Sequence, residues 1–379
     1  MNALFITHHS LSGFGGGSFA SRAYINAFSE IFTELTVLYP LKKDDYANNI
    51  NQKVNLIPVT YNIPKWKKFF RLCIGKVHRY EKIYNELLQK NHYDFIIFDN
   101  SIASFHLITK AHFYHSRVIT IHHNYEYEYI KDSLTSIIKY IKLFWVTKYE
   151  AESIYYSDLN LTLTQQDKKL LSQHYQKHKS NIKVIGCFEY KKNDYENTNA
   201  SQEQGNKFII TGNLSARQTI NALLPWIKVY YPILKKKLTD VHLIIAGKHP
   251  NTELKEICHS LNIELFDTPK DMNNILNKGK YYICPISLGG GLKLRVMDGL
   301  SHGLPVITHN VSARGYDEFL NKYIFTYTDP KSFEIAIERI SSLKFEKEQI
   351  IKDYKKSFSY QAGVDRLIRI LEENFKINI

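Results

Sequence analysis

The sequence predicts an α/β protein built from two successive units of parallel strands and crossover helices. Short apolar runs alternate with longer segments whose apolar residues recur at helical spacing, a rhythm typical of parallel sheets. The rhythm stops in the polar stretch Lys191–Lys207 and then restarts. Because a chain of 379 residues is long enough to bury two cores, we place a domain boundary at this stretch.

The first unit is expected to hold six strands joined by helices. Amphipathic helical spacing runs through Phe19–Phe28 and Tyr80–Leu88. Helices at these positions suit the crossovers that parallel strands require. The predicted strands are ALFITHH, ELTVLY, YDFIIFD, RVITIHH, LNLTLT and IKVIGCF.

The second unit repeats this pattern and ends in an amphipathic helix. Its predicted strands are FIITGNL, DVHLIIAGK, IELFD, YYICPIS and LPVITH. Helices are expected around Leu223–Leu234, from Glu253, from Asp271 and through Val296. In the closing segment FSYQAGVDRLIRILEENF, one face carries Val364, Leu367, Ile368 and Leu371. Since ligands bind beyond the carboxyl ends of parallel strands, two such sheets facing each other across a cleft would create one large site.

Composition excludes several classes of protein. The four cysteines lie far apart without metal-ligand spacing, which favours small core residues in a reducing compartment. The first residues lack the features of a signal peptide, and no apolar run approaches the ~18–20 residues of a membrane span. We therefore expect a cytoplasmic protein without zinc-finger or other nucleic-acid motifs.

The charge is strongly basic, with a formal net charge of +13 and an isoelectric point near 9.2. This balance favours an acidic partner such as nucleic acid, an anionic lipid surface or a phosphorylated substrate. A lysine-rich genome explains the same balance, and the abundant Lys, Asn, Ile and Tyr fit that alternative.

A first glycine-rich loop, SLSGFGGGSFASRAYINAF, follows the first strand. Glycines 15 to 17 precede a helix and would let backbone N–H groups approach an anion; a flexible turn without a ligand is the alternative. A dinucleotide-binding loop needs a third glycine where Ser18 stands and an acidic residue where LYPLKK follows the second strand. A nicotinamide cofactor is therefore disfavoured.

A second glycine-rich loop lies within YYICPISLGGGLKLRVMDGLSHGLPVITHN. Glycines 289 to 291 follow a buried-type strand and are expected to open a helix that carries Leu292, Val296 and Leu300 on one face. Lys293 and Arg295 add positive charge beside a phosphate, and Asp298 lies five residues, or about one and a half turns, beyond Lys293. A carboxylate there can accept hydrogen bonds from a ribose diol, so the segment predicts a nucleotide diphosphate site.

The segment CPISLGGGLKLRVMDGLSHGLPVITHN resembles the donor site of GT-B glycosyltransferases, particularly of the retaining family-four type. The shared pattern is a proline, a Gly-rich turn, a basic residue, an acidic residue in the next helix and a closing G-x-P-V-[IV]. The resemblance covers nearly the whole chain, although only the donor segment is specific. The other similar segments are FIITGNLSARQTINALLPWI, LIIAGK, ELFDTPKDMNNIL, THHSLSGFGGGSFASR and ITIHHNYEYEY.

The resemblance implies a fold, a division into domains and an activity. It implies two Rossmann-like domains across a cleft: residues 1–190 for the acceptor, 191–360 for the donor, and a helix at 361–379 that returns to the first domain. The implied activity is hexosyl transfer, with retention, from a nucleotide sugar to a bacterial surface glycan, lipid-linked or glycoprotein acceptor. A UDP-sugar is the expected co-substrate, and no separate cofactor is expected.

The resemblance also implies roles for particular residues. Lys293 would contact the diphosphate, Asp298 the ribose, and Arg217 would supply a second positive charge. The backbone from Pro269 to Met272 would meet the base, and His123 would lie near the reacting sugar or the acceptor. The implied catalytic set is His123, Arg217 and Lys293. The implied donor-binding set is Gly16, Gly17, Gly212, Asn213, Pro269, Met272, Gly289, Gly290, Gly291, Leu292, Arg295 and Asp298.

Two positions depart from the family pattern. Gly290 stands where an acidic residue usually lies eight positions before the ribose-binding one. Gln218 stands where the donor loop usually has its lysine, with Arg217 one place earlier. These departures weaken the assignment of a retaining mechanism.

The residues also indicate how transfer would proceed. Breaking the anomeric C–O bond places charge on the diphosphate, and fixed cations with backbone N–H groups lower that barrier. No D-x-D-like pair is placed to hold a divalent metal, so metal-independent transfer is expected. In a retaining reaction a phosphate oxygen would be the base and His123 would orient the substrate. In an inverting reaction His123, Asp99 or Glu126 is the candidate base.

The segment 64–82 predicts a peripheral membrane contact. It carries seven Lys and Arg residues against Glu81 alone. Its apolar residues fall on one helical face: Trp66, Phe69, Phe70, Cys73 and Ile74. An ordinary domain helix with a basic solvent face is the alternative. Location at the inner face of the cell membrane would suit a lipid-linked acceptor.

Two other functions share this architecture. A catalytically inactive subunit could stabilise a partner transferase, although intact Lys293 and Asp298 argue against it. A sugar-nucleotide epimerase would show further carboxylates in its cleft, and the sequence identifies none. The oligomeric state, the sugar and the acceptor stay open.

Overall fold

The computed structural model describes residues 1–13, 15–41, 49–60, 63–76, 80–133, 138–175, 181–192 and 205–378. Contacts divide the chain into two compact units. Unit 1 comprises Met1–Asn193 with Phe358–Ile379, and unit 2 comprises Asp194–Ser357. Most of the polar stretch 191–207, where the sequence predicts the boundary, lies outside the described residues.

Unit 1 is built on a seven-stranded parallel sheet with the order β3-β2-β1-β4-β5-β6-β7. The strands are β1 Asn2–Thr7, β2 Glu34–Pro40, β3 Asn55–Val59, β4 Phe95–Asp99, β5 Arg117–His122, β6 Leu159–Thr162 and β7 Ile182–Val184. The helices are α1 Gly16–Ile31, α2 Lys65–Cys73, α3 Glu81–Lys90, α4 Ser101–Ser104, α5 Ile108–Phe113, α6 Glu126–Ser133, α7 Ile138–Tyr156 and α8 Gln165–His174.

The central strands of unit 1 are mostly apolar and buried because helices cover both faces of the sheet. β4 is buried at all five positions, and Ile96 and Phe98 join Leu4 and Ile6 of β1 in one core cluster. Across that cluster, Tyr84 of α3 is fully buried. The sheet therefore holds the carboxyl ends of β1 and β4 side by side.

Unit 2 repeats the architecture with a six-stranded parallel sheet of order β10-β9-β8-β11-β12-β13. The strands are β8 Asn206–Asn213, β9 Val241–Lys248, β10 Glu264–Asp267, β11 Tyr281–Cys284, β12 Val306–His309 and β13 Ile324–Tyr327. The helices are α9 Arg217–Lys237, α10 Thr252–Ser260, α11 Asn273–Leu276, α12 Arg295–Ser301, α13 Pro330–Ser342 and α14 Lys347–Phe358.

The core of unit 2 forms where α9 and α13 cover one face of this sheet. Leu223, Trp226 and Ile227 of α9 pack with Ile245 of β9 and Ile337 of α13, all of them buried. The apolar residues of α9 recur every three to four positions, which places them on the face that meets the sheet.

The terminal helix α15, Tyr360–Phe375, belongs to unit 1 and packs against α1. The backbone of Gly363 lies against the ring of buried Phe188, so closely that a β-carbon there would overlap the ring. Tyr360 donates a hydrogen bond to Glu30 of α1 at 2.9 Å. The last helix thus covers the sheet to which the first residues of the chain contribute.

The α/β prediction of two parallel-strand units is confirmed, and the structure adds elements that the sequence pattern did not show. β3 and β13 each lie at a sheet edge. Edge strands need no continuous apolar run, and β3 contains Pro58, which an edge tolerates. The strand predicted at YYICPIS is also shorter and ends at Cys284. Among the described residues, no helix is long and apolar enough to cross a bilayer.

Candidate functional site

The strand order of unit 2 reverses between β8 and β11, and the candidate donor residues lie at that point. β9 and β10 lie on one side of β8, whereas β12 and β13 lie beyond β11. Open parallel sheets bind ligands outside the carboxyl ends of the strands at such a reversal. The two loops that leave β8 and β11 here are residues 214–216 and 285–294.

The glycine-rich loop after β11 is separate from the helix that follows. Gly289 and Gly291 have φ angles of 92° and 67°, a left-handed region that favours glycine. α12 begins only at Arg295 and has seven residues. The expected helix start directly after Gly291 is therefore wrong, and positive charge near this loop comes mainly from side chains.

Lys293 lies over the glycine loop. Its Nζ atom donates hydrogen bonds to the carbonyl oxygens of Gly289 and Gly290 at 3.2 and 2.6 Å. Gln218, at the start of α9, donates to the carbonyl of Leu288 at 3.0 Å. Gln218 thus joins the first turn of α9 to the loop after β11.

Arg295 and Gly212 meet at the same edge of the sheet. A β-carbon on Gly212 would lie 3.8 Å from the guanidinium carbon of Arg295 and 3.0 Å from the Thr219 side chain. A side chain at position 212 would therefore crowd Thr219 and only touch the cation. Arg217, the first residue of α9, is exposed to solvent.

Asp298 is half-buried in α12 and faces the end of β8. Its Oδ2 atom accepts a hydrogen bond from the Thr211 hydroxyl at 3.2 Å, and that hydroxyl lies 2.7 Å from the Tyr282 hydroxyl. Burial raises the pKa of Asp298 above its ordinary value, although the positive charge of Arg295 counteracts part of that shift. A ligand hydroxyl that donates to this carboxylate would favour its charged form.

The loop predicted to meet the base lies after β10. Pro269 and Met272 are half-buried, and the carbonyl of Met272 accepts the first hydrogen bonds of α11 from Ile275 and Leu276. His302, just after α12, has its Nε2 atom 3.1 Å from the side-chain oxygen of Asn273 in α11. This contact ties the base loop to the helix that carries Asp298.

Two further predicted residues flank this site. Asn213 is exposed at the end of β8, and its side-chain oxygen accepts hydrogen bonds from the backbone and the hydroxyl of Ser215. Leu292, which follows the glycine loop and precedes Lys293 in the chain, is half-buried. The structure thus gathers the predicted donor residues of unit 2 around one edge of its sheet.

In unit 1, His123 forms a buried pair with Asp99. His123 directly follows β5, Asp99 ends the neighbouring β4, and the Nε2 atom of His123 is hydrogen-bonded to Oδ1 of Asp99. The other carboxylate oxygen accepts a hydrogen bond from the Ser21 hydroxyl at 2.5 Å. Both His123 and Asp99 are buried.

Each member of this pair stabilises the charged form of the other. Burial favours neutral His123, but the charge of Asp99 and its hydrogen bond outweigh burial and raise the pKa of His123 above its ordinary value. Burial likewise opposes charge on Asp99, yet His123 holds the pKa of that carboxyl well below its usual range. The pair therefore favours the imidazolium and the carboxylate over the two neutral groups.

The glycine-rich loop of unit 1 lies against the same pair. Gly16 begins α1, and a β-carbon on Gly17 would overlap the ring of His9. The His9 ring centroid lies 5.0 Å from that of His123. Arg22 holds the loop by donating hydrogen bonds to the carbonyls of residues 11 and 13 at 2.7 and 2.8 Å. Glycine at position 17 thus allows His9 to approach His123.

Glu126, the third candidate base, lies in a buried carboxyl cluster behind His123. Asn100 and Asn124 donate hydrogen bonds to its Oε1 atom at 2.9 and 3.2 Å. Burial nevertheless raises the pKa of Glu126. Its backbone N–H donates to Glu150, whose pKa burial and the nearby Glu126 charge raise to about 8. The charge of Glu126 also raises the pKa of His123, after the larger effects of burial and of Asp99.

One group of side chains among the described residues has the composition of a metal site. His9, Asp99 and His123 offer ligand atoms within 4.8 Å of one another. Two imidazoles and a carboxylate suit a divalent transition metal. The hydrogen bond from His123 already occupies one oxygen of Asp99, and Ser21 donates to the other. A bound metal would have to replace the first of these contacts.

Sequence reasoning did not single out His9 or Ser21. The sequence does contain a sign of this cluster. Polar residues follow or end β1, β4 and β5, and these three strands are neighbours in the sheet. His122, which precedes His123, faces elsewhere. Its Nε2 atom lies 2.9 Å from the side-chain oxygen of Asn160, and burial lowers its pKa to about 4.

Comparisons with known proteins concern the fold and the sequence family of the chain. Residues 205–342 match the family model "Glycosyl transferases group 1". A Klebsiella pneumoniae protein described as an uncharacterized 44.6 kDa protein in cps region is 25% identical over 144 residues, covering 36% of this chain and 35% of that protein. The chain thus matches about a third of the length of that relative.

Solved structures resemble the chain along nearly its whole length. Sucrose-phosphate synthase from Thermosynechococcus elongatus has a TM-score of 0.71 at 12% identity, with 99% of each chain covered. Anabaena Alr3699/HepE in complex with UDP has a TM-score of 0.69 at 13% identity, covering 98% of this chain and 100% of that one. The chain has the GT-B fold, and residues 205–342 of unit 2 are the part that matches the group 1 glycosyl transferase model.

Proposed function

We propose that this GT-B chain transfers a hexose from a UDP-sugar to an acceptor. The observation that carries the proposal is the convergence of Lys293, Arg295 and Asp298 at the reversal point of the unit 2 sheet. Two cations beside a glycine loop suit a diphosphate, and a half-buried carboxylate suits a ribose diol. The UDP complex of Anabaena Alr3699/HepE, a structure of the same fold, supports the choice of nucleotide.

The chemistry follows from the placement of charge. As the anomeric C–O bond breaks, negative charge develops on the leaving diphosphate, and Lys293, Arg295 and Arg217 would stabilise it. Fixed cations do this without reorganisation at the moment of reaction. We propose retention, with a phosphate oxygen as base and His123 as the group that orients the sugar or the acceptor. Metal-independent transfer belongs to the same proposal, and unchanged turnover after EDTA dialysis would support it.

The acceptor is proposed to be a bacterial surface glycan, in lipid-linked or glycoprotein form. The expected contact of residues 64–82 with an anionic membrane suits a lipid-linked acceptor. Residues 77–79 of that segment lie outside the described residues, and α2 occupies its first half. The basic charge of the chain also agrees with an anionic surface.

The binding test compares two lysines on either side of β11. Lys293 follows the strand, whereas exposed Lys280 precedes it and donates to Asn206 at the opposite edge of the sheet. A lost charge-assisted hydrogen bond costs about 1.5–3 kcal/mol, so Lys293→Ala should weaken UDP binding about tenfold or more by calorimetry. Lys280→Ala should bind as the unaltered chain does. Equal affinities for all three proteins would refute the assigned site.

Turnover distinguishes the enzyme from its alternatives. Incubation with a panel of UDP-hexoses and acceptor extracts should release UDP and consume the sugar nucleotide. An inactive partner subunit would bind UDP and release none under any condition. An epimerase would change the sugar while it stays attached to the nucleotide, which NMR of the sugar nucleotide detects.

A further inference from the structure

The apolar stripe of helix α2 lies on the surface of unit 1. Trp66 and Phe70 are 67% and 61% exposed, and Phe69 is 51% exposed. No residue of α2, Lys65–Cys73, is buried by the described part of the chain. A helix of a globular domain normally turns its apolar stripe toward the core. This one presents it outward.

A second helix extends the exposed apolar surface. In the first half of α7, Tyr140 and Phe144 are 71% and 55% exposed. Tyr140, Phe144 and Lys148 follow one another at intervals of four residues, which places them along one face of the helix. The Lys148 ammonium lies 4.5 Å from the Phe144 ring centroid, so the cation and the aromatic ring share that face.

The two helices are in direct contact. Gly75, which follows α2, has a φ angle of 72°, and a β-carbon on it would lie 2.5 Å from the ring of Trp145 in α7. Tyr149 of α7 donates a hydrogen bond to the Gly75 carbonyl at 3.3 Å. The end of α2 therefore rests on the middle of α7, and the exposed residues of the two helices lie on adjoining elements.

The charge of this surface has a single sign. Residues 63–76 and 138–148 contain no Asp or Glu. Their basic residues are Lys65, Lys67, Lys68, Arg71, Lys76, Lys139, Lys142 and Lys148. Exposed aromatic rings surrounded by lysine and arginine are the composition of a helix that lies in the interface of an anionic bilayer.

We propose that residues 63–76 and 138–148 form one platform that lies on an anionic lipid bilayer. The aromatic rings enter the headgroup region, and the lysines and Arg71 contact lipid phosphates. One consequence of the platform, the delivery of a lipid-linked acceptor to unit 1, rests on the proposed function. Lipid binding itself needs no nucleotide.

Cys73 offers a reporter at the platform. It is exposed, whereas the other three cysteines are buried, so a thiol-reactive environment-sensitive fluorophore would label it selectively. Vesicles of phosphatidylcholine with phosphatidylglycerol should shift the emission to the blue, and added salt should reverse the shift. Vesicles of phosphatidylcholine alone should give little change.

Flotation of unlabelled variants tests whether both helices take part. The double variants Trp66→Ser/Phe70→Ser and Tyr140→Ser/Phe144→Ser should each reduce affinity for anionic vesicles about tenfold or more. The matched control is Phe113→Ser, which changes a 79% exposed aromatic at the end of α5, near the far end of α7. These positions are exposed, so circular dichroism should show unchanged folding.

Three outcomes would overturn the proposal. They are the absence of vesicle binding at low salt, wild-type binding by the α7 double variant, and a change in oligomeric state of either variant without lipid, which would make the surface a contact between copies. UDP affinity measured without vesicles separates this result from the proposed function. A chain that binds UDP but not vesicles refutes the platform alone.

Discussion

Asp99→Asn isolates the charge of the buried pair with little change in shape. The asparagine side chain has nearly the same size and can still accept a hydrogen bond from Ser21. It removes the negative charge that raises the pKa of His123. Burial, the largest influence on His123, then exceeds the remaining attraction of the Glu126 charge, so we expect the pKa of the imidazole to fall below its ordinary value.

The expected loss of stability depends on pH. In the unaltered protein the raised pKa of His123 contributes stability that is fully present below the unfolded value of ~6.5 and is lost as pH rises through the folded value. The lowered pKa of Asp99 contributes stability that disappears only as pH falls below ~4. Removing one partner of a buried ion pair costs about 3–5 kcal/mol. We expect this loss near pH 5.5 and a smaller one once His123 is neutral.

Urea unfolding of both proteins at several pH values measures the difference, and NMR titration of the histidine rings measures the pKa of His123. Asp365→Asn is the control because Asp365 is exposed on α15 and should change stability by less than about 0.5 kcal/mol. An unchanged His123 titration, or the same loss of stability at every pH, would refute the ion-pair interpretation.

Three other predictions concern the packing and charge of unit 1. Gly17→Ala should displace the neighbouring histidine ring and move its NMR signals, whereas Gly15→Ala should leave them in place, because a β-carbon at that position has no atom within 4 Å among the described residues. Gly363→Ala should lower the free energy of unfolding of unit 1 by about 1–3 kcal/mol, since a β-carbon would overlap a buried phenylalanine ring. Helix propensity alone predicts a gain of about 1 kcal/mol. The sign of the change measured by urea unfolding therefore shows whether the overlap or the propensity dominates. Glu150→Gln should flatten the pH dependence of stability between about pH 4.5 and pH 8. The raised pKa of Glu150 makes the folded state lose up to ~1.4 kcal/mol of stability per pH unit as pH rises, and glutamine does not titrate. An unchanged slope would contradict a buried neutral carboxyl group at this position.

Much of the fold could be predicted because central parallel strands are apolar on both faces. β4 is an example, because residues 95 to 98 form a continuous apolar run. The edge strand β3 could not be recognised in the same way, since one side of an edge strand needs no apolar or hydrogen-bonding partner and only one of its five residues is buried.

The candidate site could likewise be predicted only in part from the sequence. Lys293, Arg295 and Asp298 lie within six consecutive residues, so their joint role could be proposed from spacing. The contact of Gln218 with the glycine loop involves residues 70 positions apart along the chain. No local pattern shows that the residue in place of a lysine holds this loop.

The sequence by itself determined the alternation of strands and helices, the two glycine-rich loops and the basic stretch around α2. These features depend on neighbours along the chain, whose spacing is fixed by helix and strand geometry. Only the tertiary structure decided that His9, Asp99 and His123 meet, and that α7 continues the exposed surface of α2. The order of strands in the sheet and the packing of helices bring these residues together, because distant segments become neighbours only when the core is buried.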